Sequence, residues 1–121
     1  FIFPDGNNLG NIRLDLYAGA GQCEYVDKGE YVGYVRLYYN VVKKYAYVIY
    51  NMPFDWVLDE THFYIGSNKY PLKKNGKETV APGQYPYKHS DLGGVKIDVF
   101  ENVDLPEGEF YIIAHAVVSK E

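Results

Sequence analysis

The sequence predicts an all-β fold: a single β-sandwich of immunoglobulin-like or jelly-roll type with about seven or eight strands. Short runs rich in valine, isoleucine and tyrosine recur along the chain, separated by turn residues. No window of eleven or more residues has the apolar spacing of an amphipathic helix. The length of 121 residues fits one domain. We expect residues 1–10 to form an N-terminal extension and residues 11–121 to form the sandwich.

Eight segments have the composition of strands, and glycine or proline separates most of them. In chain order they are Asn11–Ala18, Tyr31–Val41, Lys44–Met52, Val57–Gly66, Tyr70–Leu72, the short Tyr85–His89, Gly94–Phe100 and Glu109–Val118. The pair Asn75-Gly76 favours a tight hairpin turn. The run Pro106-Glu107-Gly108 predicts the turn before the last strand.

Charge and composition exclude several classes of protein. The chain has 12 Lys+Arg and 16 Asp+Glu, a formal charge of −4, whereas a nucleic-acid binder needs a basic face. A hydrophobic content of 47% excludes a disordered chain. No apolar run approaches the roughly 18–20 residues of a membrane helix. We therefore expect no nucleic-acid partner and no membrane span.

Tyrosine is unusually abundant, at 14 residues. A strand with one solvent-exposed face should alternate apolar and polar side chains, yet tyrosines fall on faces expected to be polar. In the second predicted strand, Val35 and Val41 face inward, while Val32 and Tyr34 face outward. Such faces indicate a neighbouring subunit; the alternative is that tyrosine suits strands and tolerates water. The predicted contact residues are Tyr34, Tyr38, Tyr45, Tyr47, Tyr50, Tyr111 and Ile113.

The amino terminus suggests how such subunits could join. Phe1, Ile2 and Phe3 form a short apolar strand-former, followed by the proline at position 4 and the flexible run Asp5-Gly6-Asn7-Asn8. An apolar end on a flexible tether can complete a groove in a neighbouring sheet by donor-strand exchange. Repeated head to tail, this interaction builds a filament. The alternative is that the segment pairs with an edge of its own sheet.

Six short segments occur in a familiar order. They are Ala20-Gly21-Gln22, Gly33-Tyr34-Val35, Trp56-Val57-Leu58 leading to Glu60-Thr61-His62, Ile65-Gly66, Pro82-Gly83-Gln84-Tyr85-Pro86-Tyr87 and Ile113-Ala114-His115-Ala116-Val117-Val118. Together they resemble a β-domain of secreted and cell-surface proteins of bacteria and archaea. The resemblance covers about Leu16 to Val118 and implies an exported, surface-located β-sandwich module; it does not imply an enzymatic activity. By architecture alone, the layout is similar to extracellular pilus and thread subunits built by donor-strand exchange.

The chain begins with phenylalanine rather than methionine. The simplest interpretation is a mature chain from which a targeting segment was removed, although a trimmed chain would begin in the same way. Together with the resemblance, this interpretation favours an extracellular or cell-surface location. Cys23 is the single cysteine, so no internal disulfide is expected.

Metal binding has weak support in the sequence. His62 and His115 lie on different predicted strands, and Glu60 shares a strand face with His62. These three residues could ligate zinc or copper only if the fold brought them together, and a hydrogen-bonded buried histidine is the commoner outcome. Loop carboxylates near Asp55 and Asp104 could hold calcium, but no calcium-loop motif is present. We therefore expect no cofactor, with calcium the remaining possibility.

The sequence favours two non-catalytic functions, and we do not expect an enzyme. Serines lack a nucleophile-elbow motif, and the cysteine has no evident base nearby. The favoured interpretation is a structural subunit of an extracellular filament or surface assembly that polymerises with its own copies. The alternative is a monomeric carbohydrate-binding or adhesion module, with Trp56, Tyr85 and Tyr87 as a stacking platform for a glycan.

Overall fold

The computed structural model describes residues 10–18, 30–69, 76 and 85–121. Within these ranges the protein is all-β, with seven strands and no helix, which confirms the all-β part of the prediction. The strands are β1 (Gly10–Ala18), β2 (Glu30–Asn40), β3 (Tyr45–Asn51), β4 (Trp56–Gly66), β5 (Tyr87–His89), β6 (Ile97–Asp104) and β7 (Tyr111–Lys120).

The strands form two antiparallel sheets. Four of them make one sheet in the order β1-β2-β3-β6, and three make the other in the order β5-β4-β7. All pairings between the named strands are antiparallel. The chain therefore crosses between the sheets after β3, β5 and β6.

One apolar core joins the two sheets. The central strands β2, β3 and β4 contribute side chains that are at most 2% exposed, namely Val32, Val35, Leu37, Ala46, Val48, Tyr50, Leu58 and Phe63. These residues belong to one continuous cluster that draws on both sheets. The arrangement is therefore sandwich-like, and the choice between the immunoglobulin-like and jelly-roll types stays a prediction.

Polar side chains also tie the sheets together. Tyr50 of β3 donates its hydroxyl hydrogen to the main-chain oxygen of His62 in β4, at 2.7 Å. Thr61 of β4 donates to the carboxylate of Asp98 in β6, at 2.5 Å. The same carboxylate oxygen lies 2.8 Å from Nδ1 of His89 in β5. Because these groups are buried or half-buried, each bond restricts how the sheets can slide on one another.

The predicted strands match β1 to β4 and β7 to within a few residues, whereas β6 covers Ile97–Asp104 rather than the predicted Gly94–Phe100. Two side chains also point in directions that differ from the prediction. A bulge in the β1–β2 pairing, between Leu16 and Tyr17, leaves Val32 as an extra residue, and its side chain is buried at 2% exposure rather than outward as predicted. Val41, predicted to face inward, is 55% exposed because β2 ends at Asn40. The Asn40 side-chain oxygen accepts hydrogen bonds from the backbone N–H groups of Val42 and Lys43, which closes the turn.

Some predictions lie outside the described residues. The strand Tyr70–Leu72, Cys23 and residues 1–9 of the predicted extension 1–10 all fall there, while residue 10 of that extension belongs to β1. Of the predicted turn Asn75-Gly76, only Gly76 is described, and its positive φ of 83° suits a glycine in a tight turn. No helix long and apolar enough to cross a bilayer occurs in the part of the chain that is described.

Candidate functional site

The two lateral edges of the sandwich are buried to different extents. At the β6 edge, the core residues Phe100 and Val103 are only 5% and 0% exposed. At the opposite edge, where β1 and β7 lie near each other, Leu16 of β1 is buried at 9% exposure, whereas the other apolar residues that the two strands pack against the core are only partly buried. They are Ile12 and Leu14 of β1 and Ile112, Ala114, Ala116 and Val118 of β7. The core is therefore partly open along this side, which we call the open edge.

Strand β7 is an edge strand of its sheet within the described part of the chain. It pairs with β4 along its length, and no other strand among the described residues pairs with it. About half of its N–H and C=O groups therefore point away from β4. Edge strands are usually protected by prolines, charges or short length, yet β7 has ten residues, no proline and one lysine at its end. Such an edge can accept an additional strand.

The inner face of β7 carries two small side chains. Ala114 and Ala116 are its middle residues, between the larger Ile112 and Val118. A large side chain fits best opposite a small one in a packed core. Sequence reasoning assigned this strand to a contact face but did not single out the two alanines or the β1 residues. Two alanines at alternate positions of an otherwise bulky strand were the available signal.

A second cluster lies on the outer face of the three-stranded sheet. His62 of β4 and His115 of β7 are directly opposite each other in the pairing. Their Nδ1 atoms are 3.2 Å apart, and their rings are 5.2 Å apart between centroids. Oε1 of Glu60 lies 3.4 Å from Nε2 of His62. The structure thus brings together the three weak metal-ligand candidates, while His89 is engaged separately with Asp98.

Burial keeps this histidine pair in the neutral form. Loss of solvation lowers the pKa of His62; the carboxylate of Glu60 opposes that effect, and the ammonium of Lys88 adds to it. Burial also lowers the pKa of His115, with a further lowering from His62 and an opposing effect of Glu60. At neutral pH one ring N–H can therefore bridge the two Nδ1 atoms.

The predicted contact tyrosines fall into two groups. Four of them, Tyr34, Tyr38, Tyr45 and Tyr47, are half-buried on the four-stranded sheet. There Tyr38 and Tyr47 are direct neighbours across β2 and β3, and the guanidinium of Arg13 lies 4.2 Å from the centre of the Tyr34 ring.

On the other sheet, Tyr111 is 47% exposed and Ile113 is half-buried. For Tyr50 the predicted contact role is wrong, because its side chain is 0% exposed in the core and is not available to a neighbouring subunit. Successive side chains of a strand point to opposite faces, and Tyr47 and Ile49 lie on the outer face of β3. Tyr50 therefore lies on the inner face.

The proposed aromatic platform for a glycan is not assembled. Tyr87 pairs with Phe63, seven residues beyond Trp56 along β4, a separation of roughly 20 Å at strand rise. Tyr85 is 4% exposed and packs against Tyr64. Trp56 donates its indole N–H to Glu30 at 3.3 Å. The three rings therefore do not offer one stacking surface.

Comparison of the chain with models of protein families, with curated proteins and with solved structures finds no significant match in any of the three. The resemblance to a surface β-domain therefore stays a prediction. Functional inference depends on the open edge, the outer faces and the histidine pair.

Proposed function

We propose that this protein is a structural subunit of an extracellular filament or surface assembly that polymerises by strand exchange at the open edge. The observation that carries the proposal is the partly buried apolar side between β1 and β7, next to the side of β7 with which no described strand pairs. The donor is residues 1–3 of the next copy. The extracellular location is supported by the resemblance of the sequence.

The chemistry of the donor suits this edge. Phe1 and Phe3 have the same side-chain direction in an extended strand. In the proposed complex they pack beside Ala114 and Ala116, which are small and only partly buried. The added backbone pairs with the outward N–H and C=O groups of β7, as in other cases of strand addition. The proline at position 4 ends the pairing and leads into the tether.

Energy estimates indicate that the donor strand alone is not enough. Burying two phenylalanine side chains contributes about 3–6 kcal/mol. Ordering three residues costs roughly 3–6 kcal/mol of backbone entropy, so the two effects nearly cancel. Backbone hydrogen bonds add about 0.5–1.5 kcal/mol each. Further contacts between subunits are therefore required, and the half-buried tyrosines of the four-stranded sheet are suited to provide them.

Deletion of residues 1–8 tests the donor directly. Negative-stain microscopy of the full chain should show filaments, and the deletion variant should remain monomeric because it lacks the strand that fills the open edge. Adding a synthetic peptide of residues 1–8 to the deletion variant should protect β7 amides from hydrogen exchange. Filaments that persist after the deletion would contradict the proposal.

A matched pair of variants tests the acceptor. Ala116→Arg places a long charged side chain on the inner face of β7 and should block the edge, whereas Ser119→Arg places the same charge on an exposed position of the same strand. We expect loss of filaments only for Ala116→Arg. Thermal unfolding of both variants in the deletion background separates loss of assembly from loss of folding. Equal assembly of the two variants would refute the role of the open edge.

A further inference from the structure

The histidine pair on the outer face of the three-stranded sheet has the spacing of two ligands of one metal ion. Zinc binds histidine nitrogen at about 2.0–2.1 Å in tetrahedral geometry, so two nitrogen ligands lie about 3.3 Å apart. The Nδ1 atoms of His62 and His115 are 3.2 Å apart. Turning both rings until their lone pairs meet at a common point converts the contact into a chelate.

Glu60 strengthens the case because it acts on the opposite nitrogen of His62. Its carboxylate lies 3.4 Å from Nε2, where it favours the tautomer with hydrogen on Nε2 and a lone pair on Nδ1. A carboxylate behind a ligating histidine is a common second partner of protein metal sites, and it increases the basicity of the ligand. The carboxylate therefore favours the form of His62 that a metal requires.

The backbone places the two histidines side by side before any ion arrives. His62 and His115 are opposite each other in the longest pairing of the three-stranded sheet, and the His62 ring is buried. The ordering cost that a flexible chelate would incur on binding is therefore reduced. His115 is half-buried, so the pair remains accessible from the β7 side.

We propose that His62 and His115 chelate one divalent transition-metal ion, such as Zn²⁺ or Cu²⁺, through their Nδ1 atoms, with Glu60 orienting His62. Imidazole ligands select these ions over Ca²⁺ and Mg²⁺, which prefer oxygen. No group of three or more His, Cys, Asp or Glu side chains is arranged to hold a metal within the described ranges. Water, or a donor atom of a neighbouring molecule, completes the coordination. The bound ion links edge strand β7 to β4.

Calorimetric titration of the full chain with Zn²⁺ and, separately, with Cu²⁺ tests the site. The Cys23→Ser background removes the single thiol, which could otherwise bind either ion. We expect one ion per chain, loss of that binding in His115→Gln, and an affinity about tenfold or more lower in Glu60→Gln. His89→Gln is the control, because His89 contacts Asp98 rather than the pair, and it should retain the ion.

Nitrogen-15 NMR of the imidazole rings provides a second readout. Zn²⁺ should shift the Nδ1 resonances of His62 and His115 together and leave those of His89 in place. The half-buried His115 makes its glutamine variant the safer one, and circular dichroism checks that it folds. Absence of stoichiometric binding to the full chain, or binding that survives in His115→Gln, would overturn the proposal.

Discussion

Replacing Tyr50 by phenylalanine isolates one bond between the sheets. The side chain is 0% exposed, so phenylalanine fills almost the same volume and creates no cavity. The change removes the 2.7 Å hydrogen bond to the main-chain oxygen of His62. A buried acceptor that loses its donor costs about 1–3 kcal/mol. Burial also raises the pKa of Tyr50 well above its usual value, so the hydroxyl keeps its hydrogen and remains a donor at neutral pH.

Urea unfolding of the chain lacking residues 1–8 measures this loss without interference from assembly. The free energy of unfolding should fall by about 2 kcal/mol with an unchanged denaturant slope, and Tm should fall by roughly 5–10 °C. Tyr111→Phe is the matched control, because Tyr111 is 47% exposed. Removing its hydroxyl group should change the free energy of unfolding by less than about 0.5 kcal/mol. Equal effects of the two variants would refute the idea that Tyr50 ties the sheets together.

Two further stability predictions use the same assay. Thr61→Val removes the donor to Asp98 and should lower the free energy of unfolding by about 1–3 kcal/mol. The same substitution at an exposed site would have little effect. A loss below about 0.5 kcal/mol would contradict the role of Thr61 in joining the sheets. Asn40→Ala removes the acceptor of two turn N–H groups and should cost about 1–2 kcal/mol. Asn40→Asp keeps that acceptor and should lose less; equal losses would show that the turn does not need it.

The positions of the strands could be predicted because local composition sets them. Valine, isoleucine and tyrosine runs between turns identified β1 to β4 and β7 to within a few residues. Side-chain direction was less predictable where the period of two is interrupted. The bulge beside Val32 depends on the pairing of β2 with β1, which no local pattern reveals.

The candidate sites depend on contacts between distant parts of the chain. His62 and His115 are 53 residues apart in sequence, and only the register of β4 with β7 places them face to face. Asp98 lies between apolar neighbours in β6, which indicates that its carboxylate has a polar partner in the fold. The sequence does not indicate that both Thr61 and His89 contact this carboxylate. Strand order also decides which edge is open, and order follows from packing rather than composition.

Disulfide trapping tests most directly whether the open edge receives the strand of another copy. In the Cys23→Ser background, Phe3→Cys combined with Ala114→Cys or Ala116→Cys places one thiol on the donor and one on the inner face of β7. Strand exchange predicts a series of covalent oligomers on a non-reducing gel, and far fewer with Val117→Cys, which is 40% exposed on the outer face. A cross-link found only within single chains at every protein concentration would show that the segment pairs with its own edge, and would contradict assembly by strand exchange.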